Sequence, residues 1–515
     1  MSQHPDPEQA RRAARRLALV TLALLLGFGT WHALRGPAST ADDYAQYLLH
    51  AEALVDGRPY TDTGYIFSPL QWGVGPPVQS PGYPLTVAPF FALFGRADWI
   101  PRLLSLVGGL AFVGLAGAYF ARLEPVGGAL VALITAAALI QLEAMATPGP
   151  DLVFCALLWA VAFGADTEAA WSWPRTVALT ALAVAAVLYR IAALPLVPAF
   201  FAFGLLNWRR HGIKPFLAGA ASAVSFGWVF AVFGASRIPP PPQYVLDAVR
   251  AARARPARPM ETGPALGGLR NNLAVYSRGA FELQLYPFPW KLANQAYHVL
   301  ASVPMALGTL LWGARRWRSF GVLLVFAYIA MLLLLSLRAS RYLWPLAPVI
   351  AYGMVEGVRW ALLRARLSPA RARRTLVGVA SVLVALTLTR VVAGPGPRPI
   401  AQDADVQAMF AAVRAEAERA PVRVAFYKSR TLIWETGVPA APLAGAPTDE
   451  AVYAEVASLG LTHAVVGSLD GEVDASVEQW RRLVVDAPER FELVRRSGPF
   501  ALYRIRPERD LPGPA

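Results

Sequence analysis

Two adjacent carboxylates, Asp42 and Asp43, open the stretch DDYAQYLLHAEALVDGRPY a few residues after a first long apolar run. A paired acid at a membrane surface is a candidate active site, because a carboxylate held within hydrogen-bond reach can take the proton of an attacking nucleophile. The stretch has helical period. Asp43, Tyr47, Ala51 and Leu54 share one face, since positions three and four apart align. The plain alternative is an Asp that caps a helix or sits solvated in a loop.

The elements that must hold these acids are set by composition. Of 515 residues, 56% are hydrophobic and 16% charged, whereas soluble domains carry about a quarter charged residues; the mean hydropathy is +0.41. These values and the repeated apolar runs predict an α-helical multi-pass membrane protein with about 11 spans. The clearest are Leu17 to Leu34, Leu103 to Ala121, Pro215 to Gly234, Phe320 to Leu337, Leu343 to Leu363 and Thr375 to Val392. Shorter or Pro- and Gly-interrupted ones are Val126 to Leu142, Leu152 to Gly164, a pair inside Thr176 to Leu206, and Leu292 to Trp312.

Basic residues in short loops orient such a chain. Arg11, Arg12, Arg15 and Arg16 precede the first span, and later clusters fall at Arg209, Arg210 and Lys214, at Arg315, Arg316 and Arg318, and from Arg364 to Arg374. A cytoplasmic N-terminus puts all of them inside and leaves the C-terminal tail outside, on the side of Asp43. The net charge of +14 follows largely from these clusters, so it does not argue for nucleic acid. The first run also has the basic start, apolar core and small residues near Ala38 of a signal peptide. Its length, and the acids close behind it, favour an anchor. Cys155 is the single cysteine, which excludes a disulfide framework and a cysteine metal site.

Three parts are expected: a basic N-terminus 1–16, a multi-span region 17–394 with outer loops 36–99 and 235–290, and an extracytoplasmic α/β domain 395–515. The second outer loop contains Pro239 to Pro242 and the basic amphipathic VLDAVRAARARPARP, which suits lipid headgroups, an anionic substrate or plain solvent. The tail follows the linker GPGPRP. It reads as helix Asp403 to Arg419, strand Arg423 to Tyr427, helix Asp449 to Leu459, strand His463 to Val466, helix Ala475 to Asp486 and a hairpin turning at Gly498 and Pro499. It carries no Gly-rich phosphate loop.

The order of a span, Asp43, Tyr47, Ala51, Leu54, Gly57 and Tyr60, then Pro81, Gly82, Tyr83, Pro84 and Leu85, then Phe91 and Gly95, resembles the protein O-mannosyltransferase and aminoarabinose transferase family of polyprenyl-phosphate-dependent membrane glycosyltransferases, in the type C superfamily. The resemblance covers residues 15 to 395 and is strongest in the first loop. It implies a sugar donor carried on polyprenyl phosphate, a lipid, glycan or protein acceptor, and an inner-membrane enzyme acting on the outer face. It also implies that the first-loop acid is the base. The family pattern usually begins Asp-Glu; here Tyr44 follows Asp43 and the second acid precedes it as Asp42, so either acid can hold the role, with spacing to Tyr47 and Gly57 favouring Asp43.

The resemblance further implies a second outer acid at Asp151, which equally suits a helix start through the macrodipole. It places Arg190, Arg338 and Arg341 near the outer headgroup plane as partners for the donor phosphate, the alternative being snorkelling to lipid. Tyr47, Tyr60, Pro81, Gly82 and Tyr83 are expected to support the first loop. His50 and His298 lack metal-ligand spacing, so a divalent ion is neither indicated nor dismissed. Two other functions fit the same chain: a flippase of lipid-linked sugars, which would favour charges midway along spans, and a non-catalytic scaffold, which the missing Glu favours.

Overall fold

The computed structural model describes residues 7–34, 42–71, 79–141, 148–233, 264–334 apart from 283, 286 and 289, 340–393, and 401–506 apart from 402, 447 and 470–474. The helices before the tail are α1 (Pro7–Leu34), α2 (Asp42–Val55), α3 (Gly82–Phe94), α4 (Trp99–Ala121), α5 (Pro125–Gln141), α6 (Asp151–Ala165), α7 (Trp173–Tyr189) and α8 (Leu196–Leu206). They continue with α9 (Trp208–His211), α10 (Lys214–Phe233), α11 (Pro264–Glu282), α12 (Lys291–Arg316), α13 (Phe320–Leu334), α14 (Ala347–Arg364) and α15 (Pro369–Ala393). The tail holds α16 (Ala404–Arg419), β1 (Val424–Phe426), α17 (Ser429–Thr436), β2 (Ala440–Ala441), α18 (Asp449–Leu459), β3 (His463–Val466), α19 (Ala475–Asp486), β4 (Phe491–Ser497) and β5 (Phe500–Ile505).

Two compact units result: Met1–Gly36, Pro101–Trp228 and Thr262–Pro397 form one, and Pro37–Ile100, Val229–Glu261 and Arg398–Ala515 the other. In the first, a helix lies at each expected span. Among the described residues, four are long and apolar enough to cross a membrane: Trp99–Ala121, Lys291–Arg316, Arg341–Arg364 and Pro369–Val392. Others, including Asp151–Ala165, Trp173–Tyr189 and Phe320–Leu334, are apolar but shorter. The run from Thr176 to Leu206 splits as expected. Pro195 caps the start of α8, and Ile191–Ala193 between the helices form a short 3-10 turn, because proline lacks the N–H that would continue a helix.

The tightest crossing in this unit joins α12 and α14. A Cβ on Gly308 would lie 2.0 Å from the Gly353 carbonyl oxygen, and one on Gly357 would lie 1.9 Å from that of Pro304. Backbone therefore meets backbone, the mode small residues permit where lipid gives helices no hydrophobic reason to associate.

The second unit is built on a five-stranded sheet of order β2-β1-β3-β5-β4. β1 runs parallel to β2 and β3, while β5 is antiparallel to β3 and β4. The β4–β5 hairpin turns at Gly498 with φ of +50°. Val477, Trp480 and Leu483 of α19 and Val452 and Val456 of α18 cover one face of the sheet with Ala425, Ala464 and Val466. The expected tail elements are present. Two were not anticipated, α17 and the two-residue β2. The first outer segment joins the same unit: Ile66 N–H donates to the Ala440 carbonyl at 2.8 Å and Ala440 N–H to that of Gly64 at 3.2 Å, so Tyr65 adds a parallel bridge beside β2.

Gly357→Val, which drives a side chain into the Pro304 carbonyl, is expected to destabilise the first unit by about 1–3 kcal/mol or more. Gly378→Val, at a helical glycine with nothing within 4 Å of its would-be Cβ, should leave the melting temperature almost unchanged. Equal melting temperatures for the two variants in detergent would contradict the crossing.

Candidate active site

The acid pair occupies the first turn of α2, where negative charge is favoured by the helix dipole. The two acids do different things. Asp42 Oδ1 accepts the backbone N–H groups of Arg430 at 2.9 Å and Thr431 at 3.2 Å, which belong to the first turn of α17. Asp43 Oδ1 accepts from the Arg430 guanidinium at 2.6 Å, while Arg430 Nε stands 3.6 Å from Asp42 Oδ2. The Arg430 side chain is 1% exposed, that of Asp42 20% and that of Asp43 40%. Asp42 thus holds the start of α17 through two backbone N–H groups, while Asp43, the more exposed of the two, receives the shorter contact from the buried cation. Burial raises the Asp42 carboxyl pKa, against the lowering pull of Arg430 and the Thr431 N–H. The Tyr65 ring completes the pocket around Arg430, its centroid 5.4 Å from the guanidinium carbon.

The residues expected to support the loop pack behind this pair. Tyr47 meets Tyr83 edge to face at 5.8 Å, which seats α2 against α3. Pro81 is the N-cap residue of α3 and Gly82 its first residue. Tyr60 donates its hydroxyl to the Gln79 carbonyl at 3.2 Å and stacks on His50 at 4.1 Å. His50 itself is wholly buried. Its Nδ1 lies 2.6 Å from the Tyr60 carbonyl and its Nε2 3.2 Å from Gln46 Nε2, so the neutral ring donates from Nδ1 and accepts at Nε2. Burial pushes its pKa down to about 4. Both nitrogens are engaged, and His50 is a core histidine rather than a metal ligand.

Arg430 is the residue at the candidate site that the sequence reading missed. It lies in SRTLIWETG, a segment between a strand and a helix. The signal there is weak: Arg430 follows Lys428 and precedes only three apolar residues, Leu432 to Trp434, before Gly437, which adopts the left-handed C-cap conformation. The same unit buries a further acid. Glu455 of α18 accepts from the Ser68 hydroxyl, and burial, opposed by the Ser68 and Leu70 donors, pushes its carboxyl up to about 7.

In the first unit, Asp151 and Arg190 form an ion pair, with side chains 7% and 8% exposed. Asp151 opens α6 and Arg190 closes α7, so the pair ties the two helices together at one end. Tyr342, in the 3-10 segment Ser340–Leu346, lies between two cations, 5.2 Å from Arg190 and 5.9 Å from Arg341 measured from ring centroid to guanidinium carbon. Trp159 Nε1–H anchors that segment by donating to the Pro345 carbonyl at 3.0 Å. Arg190 and Arg341 are thus brought to one aromatic ring. Arg338 lies outside the described residues. His298 is buried with Nε2 3.2 Å from the Leu285 carbonyl, and among the described residues no group of three His, Cys, Asp or Glu could hold a metal ion.

No protein-family model and no curated protein sequence matches the chain. Solved structures do. ArnT from Cupriavidus metallidurans bound to undecaprenyl phosphate superimposes with TM-score 0.55 at 13% identity, covering 96% of this chain and 99% of that one. AglB, the oligosaccharyltransferase of Archaeoglobus fulgidus, in complex with an inhibitory peptide and a dolichol-phosphate, gives 0.55 at 11% identity over 98% of this chain and 74% of that one. An Archaeoglobus fulgidus oligosaccharyltransferase tethered with an acceptor peptide gives 0.55 at 12% identity over 90% of this chain and 69% of that one. The likeness spans nearly the whole chain and is one of fold.

The Glu455 carboxyl, ordinarily near 4.5, binds its proton more tightly folded than unfolded, so the stability this gives is fully present below about 4.5 and is lost as pH rises through about 7. Glu455→Gln removes the charge and keeps the shape. It is expected to stabilise the second unit by ~2 kcal/mol at about pH 8 and by almost nothing near pH 4.5. A melting curve showing no alkaline gain would rule out a strained, buried carboxylate at this position.

Proposed function

We propose that this chain, which has the fold of type C, polyprenyl-phosphate-dependent glycosyltransferases, moves a sugar from a polyprenyl-phosphate donor to a lipid, glycan or protein acceptor at the outer face of an inner membrane. The observation that carries the reading is the division of labour in the acid pair, one carboxylate committed to structure and its neighbour exposed and oriented, on a fold whose solved examples hold undecaprenyl phosphate and dolichol-phosphate. Asp43 acts as general base. It takes the proton of the acceptor hydroxyl or amine as that atom bonds to the anomeric carbon. The bond from that carbon to the phosphate oxygen breaks, and the polyprenyl phosphate leaves with the electron pair. A single displacement of this kind inverts the anomeric centre.

Arg190 and Arg341 stabilise the charge that develops on the leaving phosphate. A guanidinium offers five N–H donors, so holding Asp151 orients Arg190 without exhausting it. Asp151 is a positioning residue in this scheme. The buried ion pair lies at helix ends, and that placement favours chemistry at the membrane surface over passage of a charged headgroup through the spans. The basic loops orient the chain with its N-terminus in the cytoplasm and α2 and the tail outside.

Asp43→Asn should lower sugar transfer by about 10² to 10⁴ while leaving expression and donor binding unchanged. Asp42→Asn should be milder, because the Asn oxygen still accepts the two N–H groups of α17. Transfer measured in membranes, with the donor identified by mass spectrometry of co-purified lipid, decides the order; a more damaging Asp42→Asn would move the base to Asp42. A reporter fused after Ala515 is expected to be active only outside the cytoplasm, and a cytoplasmic signal from intact protein would overturn the orientation.

A further inference from the structure

The first unit has a second polar end. α6 runs 15 residues from Asp151 to Ala165, about 22 Å at 1.5 Å per residue. Beyond its far end, Asp166 lines a cavity of about 510 Å³ together with Arg122, Arg210, Arg315, Arg316 and Arg318. These arginines come from separate parts of the chain: Arg122 just after α4, Arg210 in α9, Arg315 and Arg316 at the end of α12, and Arg318 between α12 and α13.

The carboxylates present offset this charge only in part, because Asp166 and Glu168 face five arginines on the lining. Asp166 Oδ1 accepts the Phe320 N–H at 2.6 Å, and Oδ2 accepts the Gly321 N–H at 3.0 Å and the Tyr119 hydroxyl at 2.7 Å. It thereby caps α13 while one negative charge stays beside the arginines. Glu168 is the other acid on the lining, and it is exposed at the rim. Arg315 pairs with Glu356 at 2.8 Å, but Arg210, Arg316 and Arg318 form no ion pair with any described residue.

The walls are held independently of any ligand. Arg122 donates to the Phe163 and Asp166 carbonyls at 2.7 and 2.8 Å, and Asn207 bridges the Phe203 and Arg318 carbonyls at 3.1 and 3.2 Å. Depth is marked by Trp208 and Trp317, 54% and 49% exposed, and by Leu205 at the end of α8, 71% exposed. Tryptophan beside exposed leucine is the pattern of the membrane–water interface. Charges that only retain a loop in the cytoplasm need no common cavity, and those from Arg364 to Arg374 do not line this one. Convergence on a concave, braced site at headgroup depth calls for a ligand that a guanidinium cluster recognises, and phosphate is the anion whose geometry suits it.

We propose that this cavity binds the phosphate headgroup of an anionic phospholipid in the leaflet at the basic end of the spans. The test compares purified full-length protein in neutral detergent with phosphatidylglycerol, phosphatidylcholine or inorganic phosphate added, reading lipid retention by native mass spectrometry and the thermal shift. Phosphatidylglycerol should bind about tenfold more tightly than phosphatidylcholine. Arg316→Gln with Arg318→Gln should abolish that preference. Arg210→Gln alone should weaken it part-way, which keeps the test open should the double variant fold poorly. Arg371→Gln with Arg374→Gln removes equal charge elsewhere and should retain the preference. Loss of preference in that control would reduce the effect to general surface charge, and an equal shift with inorganic phosphate would assign the cavity to a soluble anion. Either result overturns the proposal, as does full lipid preference in the cavity variants.

Discussion

A single buried guanidinium governs the second unit. Taking a charge out of water costs several kcal/mol unless hydrogen bonds and opposite charges replace the lost solvation. Arg430 meets that demand only if α2 presents both of its first-turn acids and Tyr65 stands over the side chain. The contacts cross. Asp42 grips the backbone at the start of α17, and the side chain from that same turn reaches to Asp43. Two helix N-termini brought together would repel through their positive dipole ends; Asp42, in the first turn of one and accepting from the first turn of the other, removes that conflict. The position of Asp43 follows from the whole arrangement rather than from any local preference.

The first unit solves a related problem at its helix ends. Its four span-length helices and several shorter ones are apolar, and polar groups that fix their order gather where they terminate. Asp151 and Arg190 clamp α6 to α7 at one end, and Asp166 joins α4 to α13 through Tyr119 and two backbone N–H groups at the other. Between them, contact among small residues is enough, as Gly308, Gly353 and Gly357 show where α12 crosses α14.

Much of this was legible beforehand. Long apolar runs can only be helices in a membrane, and period, caps and turn residues located α16, α18, α19 and the β4–β5 hairpin. In the candidate site, the helical spacing of Asp43 and Tyr47 was readable because it is local. Arg430 was not. Its partners stand 388 and 387 residues away, and no local pattern reports such a distance. Short elements escaped for a related reason: α17 has 8 residues and β2 only 2, too few for a period to emerge, and both exist because tertiary contacts hold them. Arg190 and Arg341 could be assigned to the ends of spans, but the ring of Tyr342 that gathers them belongs to folded space alone.

The distance between Asp43 and Arg430 also has a meaning in time. A chain made from its N-terminus exposes α2 early, and α17 is synthesised only after every apolar helix has been delivered to the membrane. Until then the acid pair faces its surroundings without the cation that orients it, and the strand-like segment at Tyr65 has no β2 to pair with. Domains generally fold as they emerge, yet this one must wait for the last quarter of the chain. A chain cut short before Arg430 keeps its apolar helices and lacks the cation that partners the acid pair, so this pairing waits on the last part of synthesis.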